Sequence, residues 1–106
     1  MKMRFTWDPV KARKNLKVHG ISFEVATEVF RDPNHITNED YFIEDQGEQR
    51  YGIIGLSLNV VLLLVVFVDR TEVGSSGAAA TETIHIISAR KADSYETKIY
   101  TAHIEN

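Results

Sequence analysis

The sequence contains no cysteine. That excludes disulfides, a thiolate metal site and a cysteine nucleophile, and it suits a reducing compartment. There are only two prolines, Pro9 and Pro33, each placed to mark a helix boundary. The start, "MKMRFTWDPVK", lacks the apolar core of a secretion signal. The longest apolar run, Val60 to Val68, spans nine residues. A membrane helix needs about twenty. A cytoplasmic protein without membrane association is therefore expected. No Gly-rich phosphate loop and no nucleophile elbow is present. The four histidines, His19, His35, His85 and His103, lack metal-ligand spacing, so neither a metal nor another cofactor is expected.

What is present fits one domain over residues 1–106, long enough for a single core. The charge is uneven. Residues 1–20 carry Lys2, Arg4, Lys11, Arg13, Lys14 and Lys17 against Asp8 alone, whereas residues 21–50 carry eight acids against Arg31 and Arg50. Such a surface suits an anion on one side and a basic partner on the other; an unevenly charged solvated surface is the plainer reading.

Along the chain, "MRFTW" is a strand candidate. A helix follows, with Asp8 as cap, Pro9 in the first turn and Gly20 as stop. A second helix runs from the cap Ser22 to Pro33, with Phe23, Ala26 and Phe30 on one face. "HITNEDYFIED" is a weak strand, followed by a turn at residues 45–48. "QRYGIIGLSL" and "VVLLLVVFVD" form a strong hairpin, with Asn59 expected in the left-handed conformation. The second of these, apolar at consecutive positions, should be a central strand buried on both faces. "VGSSGAAAT" reads as a loop, and "ETIHIISA" as the last strand. Asp93 and Glu96 then offer a capping box, and Ala92, Tyr95, Ile99 and Ala102 a helical stripe. The order β-α-α-β-β-β-β-α predicts an α+β domain. Its mostly antiparallel sheet would be packed by an N-terminal helical hairpin and a C-terminal helix.

Four segments occur in an order that resembles one family: "WDPVKARKNLKVHGISFEVA", "VFRDP", "GEQRYGIIG" and "IHIISARKA", with "LLLVVF" between the last two. The chain is similar to the BrnT toxins of bacterial type II toxin–antitoxin systems over nearly its whole length. The resemblance implies a RelE-like fold and a ribonuclease that arrests translation by cutting RNA, free or on the ribosome. It also implies neutralisation by a cognate BrnA-like antitoxin. Operator DNA would be reached only through that antitoxin, and a dimer is expected within the complex. The chain departs from the family pattern at His85, commonly arginine in "IRIISAR", and at Val18, commonly lysine. The alternative is an inactive module that keeps the fold and only complexes its antitoxin.

Metal-independent RNA cleavage needs a base for the 2′-hydroxyl, an acid for the leaving 5′-oxygen and cations for the phosphate. His85 is the candidate acid or base, because its ordinary pKa makes both forms accessible at neutral pH; a hydrogen-bonded sheet histidine is the structural reading. Arg90, beside Lys91 near the start of the last helix, is the leading phosphate ligand. Its structural reading is an exposed junction residue paired with Asp93 or Glu96, contributing little to stability. Residues 85 and 90 have opposite parity, so both serve one site only if the strand ends, twists or bulges between them. Arg70 could hold phosphate or stack on a base, with Glu72 as an alternative base. Arg50 is a further substrate ligand, or a salt-bridge partner of Glu48 or a neighbouring residue. Lys11 and Lys14, on the basic first helix, are candidate contacts to the RNA backbone, or simply a solvated face.

Overall fold

The structure is a computed structural model and describes residues 2–38, 48–71 and 81–105. Strand β1 (Lys2–Trp7) leads into helix α1 (Pro9–His19). Asp8 caps α1 by accepting from the Val10 N–H, and Gly20 ends it in the left-handed conformation at φ 72°. Helix α2 (Phe23–Ala26) is capped by the Ser22 hydroxyl, which accepts from the Val25 N–H. The expected second helix then tightens into a 3-10 turn at Thr27–Arg31. Strands β2 (Ile36–Asn38), β3 (Arg50–Leu56), β4 (Leu62–Asp69) and β5 (Thr81–Lys91) follow, and helix α3 (Ser94–Glu105) comes last. The observed order matches the expected one. The turn at residues 45–47, most of the weak strand and the loop at 72–80 lie outside the described residues.

The strands form one five-stranded sheet in the order β1-β5-β4-β3-β2. Among the described residues, β1 and β5 pair in parallel and the other three pairings are antiparallel. β4 is the middle strand, with Leu63, Leu64, Val65, Phe67 and Val68 buried, as its unbroken apolar run predicts. One face packs Ile53, Leu63, Val65, Phe67, Ile84 and Ile86 against Phe23, Ala26 and Val29. Gly55 permits this close approach: a Cβ there would lie 3.0 Å from both the Cβ and the carbonyl oxygen of Val29. The other face has a smaller apolar cluster of Ile54, Leu64 and Tyr100, beneath α3.

Two expectations are corrected. The left-handed residue of the β3–β4 turn is Val60, at φ 62°, not Asn59. Ser57 fixes this turn: its N–H donates to the Val61 carbonyl, and its carbonyl accepts from the Val60 N–H. The helical stripe is also different. The inward residues of α3 are Glu96 and Tyr100, while Tyr95 is exposed. Buried Asp32 anchors Tyr100, accepting from its hydroxyl at 2.6 Å and from the Leu56 N–H at 2.8 Å.

Candidate active site

The β4–β5 register slips between Val66 and Phe67: Val66 pairs with Ser88, Phe67 with Ile86, and Ile87 is the extra residue. This bulge resolves the parity problem. His85 falls opposite Val68 and Arg90 opposite Leu64, two positions of one strand face. Arg50 is also opposite Val68, and Thr6 is opposite His85. Arg50, Val68, His85 and Thr6 thus form one row across four strands. The backbones of Arg50 and His85 are about 10 Å apart across two strand spacings. Both side chains are on the face away from the main core.

Helix α1 closes one side of this face. β1 pairs with β5 only as far as Trp7 and Ile86, leaving the β5 edge beyond it open. Asn15 takes over there. Its amide donates to the Ala89 carbonyl at 2.8 Å and its oxygen accepts from the Ala89 N–H at 3.1 Å, as a neighbouring strand would. A third bond, from Nδ2 to the Ile21 carbonyl, holds the helix turn. So fixed, α1 borders a groove of about 400 Å³ lined by Lys11, Lys14, Asn15, Val18, His19, Arg50, Ile87 and Ser88. Lys11, Lys14 and Arg50 therefore converge on one hollow from elements distant in sequence. A second hollow of about 340 Å³ lies on the face of the main core. Asp69 and Glu82 beside Phe30, Tyr51 and Phe67 give it the wrong charge for phosphate.

His85 is half-buried, and Thr6 Oγ1 is 2.8 Å from its Nδ1. Burial pushes its pKa below the ordinary 6.5; the Arg70 cation adds to this, Glu48 opposes it, and Lys11 and Asp8 act more weakly. The ring is therefore neutral at pH 7 and able to accept a proton. Arg70 forks onto Glu48, with Nε 3.0 Å and Nη2 2.9 Å from its two oxygens. Those bonds hold the Glu48 carboxyl below its usual range. Glu48 thus engages Arg70 directly, and Arg50 acts on the same carboxylate electrostatically. Nothing in the sequence places Glu48 near His85; the folded sheet brings the two within electrostatic reach.

Arg90 has a different setting. Its guanidinium forks onto Glu96, at 2.8 Å and 2.9 Å, and Nη1 also donates to the Lys91 carbonyl. Glu96 is fully buried and completes the expected capping box: it accepts from the Asp93 N–H, while Asp93 accepts from the Glu96 N–H. The anion at this helix start is therefore the protein's own carboxylate. Lys91 is exposed and shares the face of Ala89, away from the groove. Glu72 lies outside the described residues. Among the described residues, no group of three or more His, Asp or Glu side chains could hold a metal ion, and no helix is long and apolar enough to cross a membrane.

No curated protein matches this sequence. Among solved structures, the crystal structure of the Brucella abortus ribonuclease toxin BrnT is similar. The TM-score is 0.54 and the identity 21%, covering 88% of this chain and 99% of that one. That likeness establishes the α+β fold. Residues 7–96, most of the chain, match the family described as the ribonuclease toxin BrnT of type II toxin–antitoxin systems. The chain belongs to the BrnT family of ribonuclease toxins, which function with an antitoxin as partner.

Proposed function

We propose that the chain is an endoribonuclease that cuts RNA without a metal, inhibits translation and is neutralised by a BrnA-like antitoxin. The reading is carried by the convergence of Lys11, Lys14 and Arg50 on one groove, with His85 in the same sheet row as Arg50. In this mechanism Arg50 and the two lysines bind the scissile phosphate and its neighbours, and stabilise the charge that grows during attack. Neutral His85 accepts the 2′-hydroxyl proton on Nε2. The freed oxygen forms its bond to phosphorus, giving a 2′,3′-cyclic phosphate. The phosphorus–5′-oxygen bond breaks, and the 5′-oxygen takes a proton from an ammonium group of the groove. Arg70, held by Glu48, borders the row and contributes positive potential. Arg90, the leading candidate from sequence, serves the fold through Glu96.

A second reading, an inactive module that only complexes its antitoxin, draws support from Arg70 and Arg90, both forked onto carboxylates. One experiment separates the two. Purified chain, freed of antitoxin, is incubated with RNA in EDTA. Cleavage leaving 2′,3′-cyclic phosphate ends is expected. Intact RNA, from a protein that still binds its antitoxin, would establish the inactive module instead.

A further inference from the structure

We infer that Thr6 is a positioning residue for RNA cleavage, holding the His85 ring so that Nε2 faces substrate through both protonation states. The inference rests on His85 being the proton acceptor. Thr6 and His85 are direct partners in the parallel β1–β5 pairing, and Oγ1 is 2.8 Å from Nδ1. The bond ties the ring to the strand beside it. Nε2, on the opposite side of the ring, is left as the nitrogen that meets substrate.

The choice of a hydroxyl has a chemical consequence. It can accept from Nδ1–H, which leaves a lone pair on Nε2 for the 2′-hydroxyl proton. Once that proton has moved, the imidazolium still donates from Nδ1 to the same oxygen. The bond then becomes charge-assisted and stronger. The ring need not turn during the step. A carboxylate in this position would also orient the ring, but its charge would favour the protonated form before substrate arrived. Thr6 adds no charge. Among the described residues, the charged groups acting on the ring are Arg70 and Lys11, which disfavour its protonation, and Glu48 and Asp8, which favour it. β1 thus contributes to the site through one neutral hydroxyl.

The test uses the full-length chain, a single-stranded oligoribonucleotide and EDTA buffers from pH 4.5 to 8. Thr6→Val keeps the shape and removes the hydroxyl. Its kcat should fall by about tenfold to hundredfold, the worth of one hydrogen bond to a charged group. KM should change by less than about twofold, since no substrate contact is lost. The acid limb of the kcat profile should move to lower pH, because the imidazolium loses its acceptor. Thr6→Ser should restore both the rate and the limb. A thermal melt of each variant checks the fold, and an NMR titration of His85 reads its pKa independently of turnover. An active wild type whose folded Thr6→Val variant keeps its kcat and acid limb overturns the inference alone. Failure of Thr6→Ser to restore them does the same. A wild type that cleaves nothing, or a His85→Gln variant as active as wild type, removes the reading beneath it.

Discussion

Arg90→Ala should destabilise the protein by about 2–3 kcal/mol. Glu96 is fully buried, and its carboxylate is held by the Arg90 fork and the Asp93 N–H. Without the fork, an ionised Glu96 would lose its cationic partner in the interior, at a cost of up to about 3–5 kcal/mol. The alternative is protonation. Between an ordinary pKa of about 4.3 and pH 7 this costs about 1.36 kcal/mol per unit, or about 3.7 kcal/mol. The cheaper route sets the ceiling. Arg90 is itself 37% exposed, so water can enter the vacated space and lower the figure further. A domain of this size is stable by about 5–15 kcal/mol, so the variant should fold, with a midpoint about 10–20 °C lower. Its pH dependence is diagnostic. Loss of the cation favours the neutral carboxyl in the interior, so the penalty should be full at pH 7 and fade as pH falls into the ordinary carboxylate range of about 4.3. Urea unfolding at pH 7 and pH 4.5 should show the gap to wild type shrinking below about 1 kcal/mol. Adding Glu96→Gln should recover part of the loss. A variant melting within about 2 °C of wild type, or a gap that ignores pH, would refute this reasoning.

Val60→Gly should stabilise the fold by about 0.5–1 kcal/mol, because a β-branched residue at φ 62° carries strain that glycine lacks; a lower urea midpoint would contradict it. Asp32→Asn should cost about 2–3 kcal/mol, since an amide cannot satisfy the Tyr100 hydroxyl and the Leu56 and Asn34 N–H groups together. Burial alone would raise the Asp32 pKa, but those hydrogen bonds outweigh it and hold it below 3.8. Its contribution is therefore present above that value and lost as pH falls through the lower folded-state pKa, so Asp32→Asn should flatten the acid limb of the stability curve. The acid limb of wild-type kcat/KM should lie below pH 6.5, where burial and then Arg70 place His85; a limb at or above 6.5 would mean that another group titrates.

The features legible in the sequence were local ones. Asp8, Ser22 and Gly20 announce helix ends because capping depends on residues a few positions apart. The Asp93–Glu96 box was equally readable. The run over β4 marked a central strand because only a strand covered on both faces can be apolar throughout. What escaped reading depends on register. The Ile87 bulge, which brings His85 and Arg90 to one face, is defined only against Val66 and Phe67. Asn59 is a better left-handed residue than Val60, but the bonds of Ser57 to Val60 and Val61 put the demand one position later. In α3 the apolar stripe was misleading because Arg90 draws a carboxylate, Glu96, into the interior. Arg50 and the α1 lysines were each visible as cations, yet their meeting required the whole sheet and the Asn15 bridge.

The most direct measurement of the central claim is kcat/KM for oligoribonucleotide cleavage by wild type, His85→Gln, Arg50→Ala and Arg90→Ala, each assayed well below its melting temperature. A site centred on the α1–β3–β5 groove predicts losses of about hundredfold or more for the first two variants, with melts near wild type. It predicts activity within about threefold of wild type for folded Arg90→Ala, despite that variant's lower melt. The account is contradicted if folded Arg90→Ala loses cleavage while His85→Gln and Arg50→Ala retain it.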